Sequence, residues 1–202
     1  MYENDRGTFI FNSKDLCMLK YLPEMLDAGI GSFKIEGRMK SEYYVGVTVA
    51  AYRRALDKCI EDPEAYRKDT ALQDELMSEL CMVSHRDYTT GFYLGLAGEQ
   101  IYASSSYLRD SDFIGIVKDC TALGEGRFEV TISQRGNFGV GETIDFVLPG
   151  EHALSVTLKE MKNSEGELIE RAPHAEMDVN IILDRPVEKG VLVRRKHISA
   201  SA

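Results

Sequence analysis

The chain has 202 residues, 44% of them apolar and 28% charged, and a formal net charge of -9. This is the make-up of a globular protein of one large domain or two small ones. The acidity argues against a domain held to nucleic acid by bulk electrostatics, although it leaves room for a local basic groove. No apolar run nears the roughly 18 residues of a membrane span. The charged opening Met1-Tyr2-Glu3-Asn4-Asp5-Arg6 lacks the apolar core of a signal peptide, so the expected location is cytoplasmic, with no membrane partner.

In chain order, Thr8-Phe9-Ile10-Phe11 predicts a short strand. A helix follows, capped by Asn12 or Ser13 and carrying Leu16, Leu19 and Leu22, with Gly29 and Gly31 at its end. Ser32-Phe33-Lys34-Ile35 predicts a second strand. A long helix is expected from about Ser41 to Ile60, with Val45, Val49, Tyr52, Leu56 and Cys59 on its apolar face. A β-α-β-α order makes the two strands parallel neighbours. Parallel sheets are covered on both faces and rarely stop at two strands. Residues 1–62 therefore predict the last β/α units of a larger α/β sheet or barrel whose earlier units are absent.

Pro63 to Asp69 reads as a polar connection. A helix is expected over Ala71 to Met82, with Thr70 and Gln73 as a capping box and Leu72, Leu76 and Leu80 on one face. Ser84 to Gly95 predicts an ordered loop, and Ser104-Ser105-Ser106 a boundary near residue 108. Beyond it the apolar period becomes two: Phe128, Val130, Ile132; Ile144, Phe146, Leu148; Leu154, Val156, Leu158; Met177, Val179, Ile181, Leu183; Val191, Val193. Turn signals such as Gly124-Glu125-Gly126 and Pro149-Gly150 separate these runs, as in a small antiparallel barrel or sandwich. The expected class is thus α+β. A terminal βαβα piece (1–62) precedes a helical segment with an ordered loop (63–108), and a small β-barrel (109–202) closes the chain.

The four cysteines, Cys17, Cys59, Cys81 and Cys120, contain no Cys-x-x-Cys pair. They suggest neither a self-contained zinc site nor a disulfide framework, and Cys59, Cys81 and Cys120 read as free, mostly buried thiols. The stretch richest in chemistry is Phe33-Lys34-Ile35-Glu36-Gly37-Arg38-Met39-Lys40-Ser41. It puts Lys34, Glu36, Arg38 and Lys40 at or just past the carboxyl end of a predicted strand, where α/β folds bind ligands. Arg38 could clamp a phosphate or carboxylate, and Glu36 could orient it or act as a base. A charged loop closed by its own ion pair is the plainer alternative. Ile35-Glu36-Gly37-Arg38 is also the recognition sequence of a processing protease, but the strand and helix patterns continue through both flanks, unlike an inserted linker. His85-Arg86 has no Ser or Cys nucleophile spaced to suggest a triad. Arg194-Arg195-Lys196 reads as a solvated strand end that could touch a phosphate backbone.

Several stretches together resemble peptidase family U32. They are Asn12-Ser13-Lys14-Asp15-Leu16-Cys17, Lys34-Ile35-Glu36-Gly37-Arg38-Met39-Lys40-Ser41, Tyr44-Val45, Tyr52-Arg53-Arg54-Ala55-Leu56-Asp57, Ser84-His85-Arg86 and Thr89-Thr90-Gly91-Phe92. The resemblance implies a TIM-like N-terminal barrel, a helical segment and, in many members, a small β-barrel like those of translation factors. It also implies a missing N-terminal barrel domain as partner of this chain, which is expected to be inactive by itself. The family was named for collagen-degrading activity, while several members take part in RNA or quinone hydroxylation with an iron–sulfur cluster held by four cysteines. By that likeness Cys17 is a candidate cluster ligand, since thiolates suit iron, and Lys34, Glu36 and Arg38 are candidate catalytic residues. The expected function is tRNA wobble-uridine hydroxylation with tRNA as partner. A peptidase acting on a protein or peptide, or a non-catalytic binding module, are the alternatives.

Overall fold

The computed structural model describes residues 14–95 and 107–197, together with the backbone of Tyr2–Asn4 and Gly7–Phe9. The chain divides into two units, Met1–Arg109 and Asp110–Ala202, and each has its own apolar core.

In the first unit, β1 (Tyr2–Asn4) and β2 (Gly7–Phe9) form an antiparallel hairpin, with Tyr2 opposite Phe9. The strand expected near residue 8 therefore folds back on its immediate neighbour, a pairing that needs only a short turn and no crossover helix. Asn12 and Ser13, the expected caps, lie outside the described residues, as do Ser104 to Ser106. β3 (Asp15–Leu16) is followed by a 3-10 turn, Leu19–Tyr21, and α1 (Leu22–Asp27) with Pro23 in its first turn. Gly29, at φ 79°, reverses the chain after α1. Its N–H donates to the Leu26 carbonyl at 2.9 Å, in the left-handed conformation glycine tolerates.

Ser32 to Ile35 form no strand. The predicted parallel pair is thus corrected on both sides, and the strand-pairing argument for a truncated parallel barrel no longer carries that expectation. The one parallel pair among the described residues joins β3 to β4 (Tyr88–Thr89), and every helix of the unit lies in the connection. These are α1, α2 (Glu42–Glu61), α3 (Pro63–Lys68) and α4 (Thr70–Cys81). None is long and apolar enough to cross a membrane.

The long helix α2 starts where expected, with the Ser41 hydroxyl accepting from the Tyr44 N–H at 3.2 Å. Its buried face agrees with the expected one in part: Cys59 is buried and Tyr52 and Leu56 pack against the core. Tyr43, Val47, Thr48, Ala51, Ala55 and Cys59 are buried, while Val45 and Val49 are exposed. The stripe Val47, Ala51, Ala55, Cys59 repeats every four residues, and its small side chains let neighbouring helices approach closely. The expected polar connection 63–69 is the helix α3, with Pro63 at its start and the Asp62 carboxylate accepting from the Ala65 N–H at 3.0 Å. Asp69, not Thr70, caps α4 by accepting from the Leu72 N–H at 2.9 Å. A carboxylate also complements the helix dipole there.

The second unit is antiparallel. Its strands are β5 (Ser111–Gly124), β6 (Arg127–Gln134), β7 (Phe138–Gly139), β8 (Thr143–Val147), β9 (Leu154–Thr157), β10 (Met161–Lys162), β11 (Leu168–Ile169), β12 (Arg171–Ala172), β13 (Asp178–Leu183) and β14 (Leu192–Lys196). Eight of them form one sheet in the order β11-β10-β13-β6-β5-β14-β8-β9, and β12 pairs with β7 beside it. The sheet curls into a half-barrel rather than closing, since β11 and β9 remain its two edges. The alternating residues of the sequence form its core: Val130, Ile132, Ile144, Phe146, Val179, Ile181 and Val193 are all buried. Burying each such side chain contributes about 1.5–3 kcal/mol. Glu125 and Gly126 turn the β5–β6 hairpin with positive φ, 53° and 72°, the primed turn that suits strand twist.

Candidate functional site

The charged loop between α1 and α2 stands on the surface of the first unit. Lys34, Glu36 and Arg38 are all exposed. The Lys40 N–H closes a tight turn on the Gly37 carbonyl at 2.9 Å. Glu36 serves this loop internally: one carboxylate oxygen accepts from the Arg38 N–H at 3.0 Å, and the other lies 3.8 Å from the Lys34 ammonium. An exposed pair of this kind contributes at most about 1 kcal/mol, so Lys34 is held loosely. A side-chain carbon added at Gly37 would stand 3.1 Å from Val45 Cγ2, so the turn and the first turn of α2 pack closely.

Arg38 differs from most guanidinium groups of the chain, and Lys40 is held without a carboxylate. Most guanidinium groups are matched by carboxylates: Arg53 by Asp57, Arg54 by Glu75, Arg67 by Glu24, Asp27 and Glu64, and Arg171 by Glu142. Among the described residues no carboxylate pairs with Arg38 or with Lys40. The Lys40 ammonium instead donates to the Ser84 carbonyl at 2.9 Å. It also faces two aromatic rings, 4.1 Å from the Tyr107 centroid and 5.1 Å from that of Tyr44. The Arg86 guanidinium lies 5.4 Å from the same Tyr107 ring. Arg86 is fixed by Asp15, whose carboxylate accepts from its backbone N–H at 3.0 Å and from its Nε at 3.3 Å. The backbone beside Tyr107 is pinned by two hydrogen bonds between Leu108 and His85, 3.0 and 2.7 Å. Burial, and after it the nearby Asp15 charge, push the Tyr44 hydroxyl above its ordinary range. Tyr44, Arg86 and Tyr107 were not picked out as site residues from the sequence. The Lys40–Tyr44 spacing of one helical turn could have signalled the first contact, whereas nothing local marks Tyr107.

Cys17 lies in the buried core of the first unit. Its thiol is 3.4 Å from the Tyr52 hydroxyl and 3.8 Å from the Met77 sulfur. Three tyrosines tie its segment to the helices. Tyr52 accepts from the Met18 N–H at 3.2 Å, Tyr66 donates to the Leu19 carbonyl at 2.9 Å, and Tyr88 donates to the Leu80 carbonyl at 2.9 Å. Burial pushes all three phenols up, so they act as neutral hydroxyls. The described residues gather no three His, Cys, Asp or Glu side chains about a metal position. By themselves they do not fit an iron–sulfur cluster, which takes four ligands. Of the remaining thiols Cys59 is buried, while Cys81 and Cys120 are half-buried.

His85 is buried and stacked on Tyr88, with ring centroids 4.6 Å apart and planes 7° from parallel. Its Nδ1 meets the Arg86 carbonyl at 2.8 Å, and since a carbonyl only accepts, Nδ1 carries the proton. In the second unit the run Arg194-Arg195-Lys196 is not a solvated strand end. Arg194 is wholly buried against Asp145, Arg195 bridges Asp112 and Glu142, and Lys196 reaches Asp145 at 3.0 Å. Its charges are matched inside the unit, so the run is not set to take a phosphate backbone. A cleft of about 630 Å³ in the same unit has an apolar floor that includes Phe128, Leu148, Val187 and Val191. Arg185 and Glu151 pair at its rim, 3.2 Å apart.

Residues 1–102 match the model of peptidase family U32, and residues 109–194 match that of the U32 C-terminal domain. The chain belongs to peptidase family U32. Among its U32 relatives, tRNA hydroxylation protein P1 of Bacillus subtilis is 30% identical over 197 residues, 96% of this chain and 45% of that protein. tRNA hydroxylation protein P of Escherichia coli is 33% identical over 174 residues, 85% of this chain and 36% of that protein. A collagenase of Porphyromonas gingivalis is 28% identical over 170 residues, 81% of this chain and 44% of that protein. The chain thus spans less than half the length of these U32 relatives. A crystal structure of a U32 C-terminal domain from Geobacillus thermoleovorans overlaps 42% of this chain and 99% of that one, at 21% identity and a TM-score of 0.38.

Proposed function

We propose that this chain works in tRNA modification, in the hydroxylation of wobble uridine, with Lys34, Glu36 and Arg38 at the mouth of the substrate site. The observation that carries this reading is the match to a tRNA hydroxylation protein along 96% of the chain, through both units in the same order. The exposed loop supports it: two cations without a carboxylate partner, in a chain of net charge -9, suit a phosphate or carboxylate group. Arg38 presents its guanidinium for that contact. Glu36 holds the turn and keeps Lys34 beside it. Cys17 is the one cysteine this reading retains as a cluster ligand, in company with three cysteines outside this chain, and no step is drawn through such a cluster.

The test is 5-hydroxyuridine in tRNA, measured by mass spectrometry in cells that lack their own tRNA hydroxylation proteins and express the whole protein carrying this chain. Restored hydroxyuridine is expected, with a loss of tenfold or more in the Lys34→Ala, Glu36→Ala or Arg38→Ala variant. Full modification in all three variants removes the loop from the site, and no modification by the intact protein removes the reading itself. The collagenase relative favours a second reading, a peptidase. Peptidase chemistry needs an activated nucleophile or a metal-bound water. The buried ring of His85 is taken up by Tyr88 and the Arg86 carbonyl. Cleavage of gelatin by the same protein, without hydroxyuridine, would decide for this second reading.

A further inference from the structure

We infer that Tyr107, with Lys40 and Arg86 against its ring, is a stacking platform for an unpaired RNA base, and that Arg38 and Lys34 meet the phosphates next to it. This rests on the tRNA-modification reading and assigns the RNA contact to residues of the first unit. Three features of the geometry converge on it. Tyr107 is 53% exposed with two cations over its ring, within 5.4 Å of its centre, so the residue reaches solvent in company with positive charge. Each cation is held from behind, Lys40 by the Ser84 carbonyl and Arg86 by Asp15, so the cluster is preorganised and does not assemble on binding. The loop that ends at Lys40 carries Lys34, Arg38 and Lys40 against Glu36 alone, a local charge of +2 (three cations less one carboxylate) in an acidic chain.

A ligand that fits must offer a π-face and a negative charge side by side. An unpaired nucleotide does so, because its base stacks on aromatic rings or guanidinium planes while its phosphate pairs with Lys or Arg. A collagen-like peptide, with glycine at every third position and rich in proline, carries carboxylates but few aromatic faces to set beside them. The cations match that order: Lys40 and Arg86 lie over the ring, where the Arg86 guanidinium adds a second plane for a base, while Arg38 stands two residues before Lys40 with no carboxylate partner among the described residues. The well-paired basic run of β14 lacks both an open ring and a spare charge. The first unit is therefore the one built for single-stranded RNA.

The experiment is fluorescence anisotropy of the 202-residue chain with a labelled anticodon stem-loop RNA bearing uridine at the wobble position. Tyr107→Ala is expected to weaken binding about tenfold and Tyr107→Phe to leave it unchanged, since stacking needs the ring and not the hydroxyl. The Lys34→Ala, Arg38→Ala double variant should flatten the salt dependence of log K by roughly 1.4, two single-strand phosphate contacts. Thermal melting of Tyr107→Ala should match the parent, because a half-exposed side chain leaves no core cavity. Equal affinity in the parent and Tyr107→Ala overturns the platform even where hydroxyuridine is made. No binding by the parent chain also overturns it. Loss of hydroxyuridine with intact RNA binding would strike the functional reading and leave the platform standing.

Discussion

The Arg194 guanidinium lies against the Asp145 carboxylate, Nε to Oδ2 3.3 Å, with side-chain exposures of 0% and 4%. Asp145 also accepts from the Ser155 hydroxyl at 2.6 Å and from the Lys196 ammonium. A buried guanidinium stripped of its carboxylate is costly, about 3–5 kcal/mol when one partner of such a pair is removed. Asp145→Ala should therefore lower the unfolding free energy by roughly that amount in urea titration. Replacing both partners, Arg194→Met with Asp145→Leu, should restore most of it. If Asp145→Ala changes the urea midpoint by less than experimental error, the pair does not hold the half-barrel.

The same carboxylate sets a dependence on acid. Burial raises its pKa, but the Ser155 hydroxyl, Lys196 and Arg194 outweigh that, and the net shift is downward. A carboxyl with a lowered native pKa adds stability above its unfolded value of about 3.9. That stability is lost as pH falls from there through the native value. Asp145→Asn should flatten the pH dependence of unfolding below about pH 4. A parent and variant with parallel stability curves between about pH 5 and pH 2 would contradict this.

Gly115 on β5 has no room for a side chain. A carbon added there would stand 2.4 Å from Ile132 Cγ2 and 3.0 Å from the Ser133 carbonyl oxygen. Overpacking of this kind typically costs about 1–3 kcal/mol. Gly115→Ala should lower the melting temperature, and its cost should shrink in an Ile132→Ala background, because Ile132→Ala removes the Cγ2 carbon that the new methyl meets. Losses that simply add in the double variant would show that the strain lies in the contact with the Ser133 carbonyl.

Much of the second unit was legible in the sequence, because a sheet with one buried face prints its period of two. The run Phe128, Val130, Ile132 and its counterparts marked the right strands, and Gly124-Glu125-Gly126 marked the right turn. Arg194 escaped that logic. Strict alternation after Val193 sends it to the opposite face of β14, and there it lies across from Asp145 of β8, both of them buried. A buried ion pair on that face has no apolar period to mark it. In the first unit hydrophobicity placed the face of α2 only in part: Tyr52, Leu56 and Cys59 pack in or against the core, but Val45 and Val49 outrank Ala51 and Ala55 on any apolar scale while close packing favours the alanines. β3 and β4 are two residues each, too short to carry a period, and lie some seventy residues apart. The chemistry-bearing loop was visible as Lys34, Glu36, Arg38 and Lys40. Tyr107 was not, because only the fold brings it to Lys40.

Cys59 tests the core of the first unit from the inside. It sits in the stripe of α2 at 0% exposure, and burial pushes its thiol up to about 11. At pH 8 roughly one molecule in a thousand would carry the thiolate, against about a quarter for an ordinary cysteine. Alkylation goes through the thiolate, so Cys59 should stay unlabelled by iodoacetamide under native conditions at pH 8 while half-buried Cys81 and Cys120 react first. Peptide mass spectrometry over a time course reads the order directly. In urea all of them should label together. Ala51→Gly weakens α2 by about 1 kcal/mol and should speed Cys59 labelling severalfold, because the thiol reacts through local opening. Labelling of Cys59 as fast as Cys81 in the native protein would mean that the helix stripe is not closed.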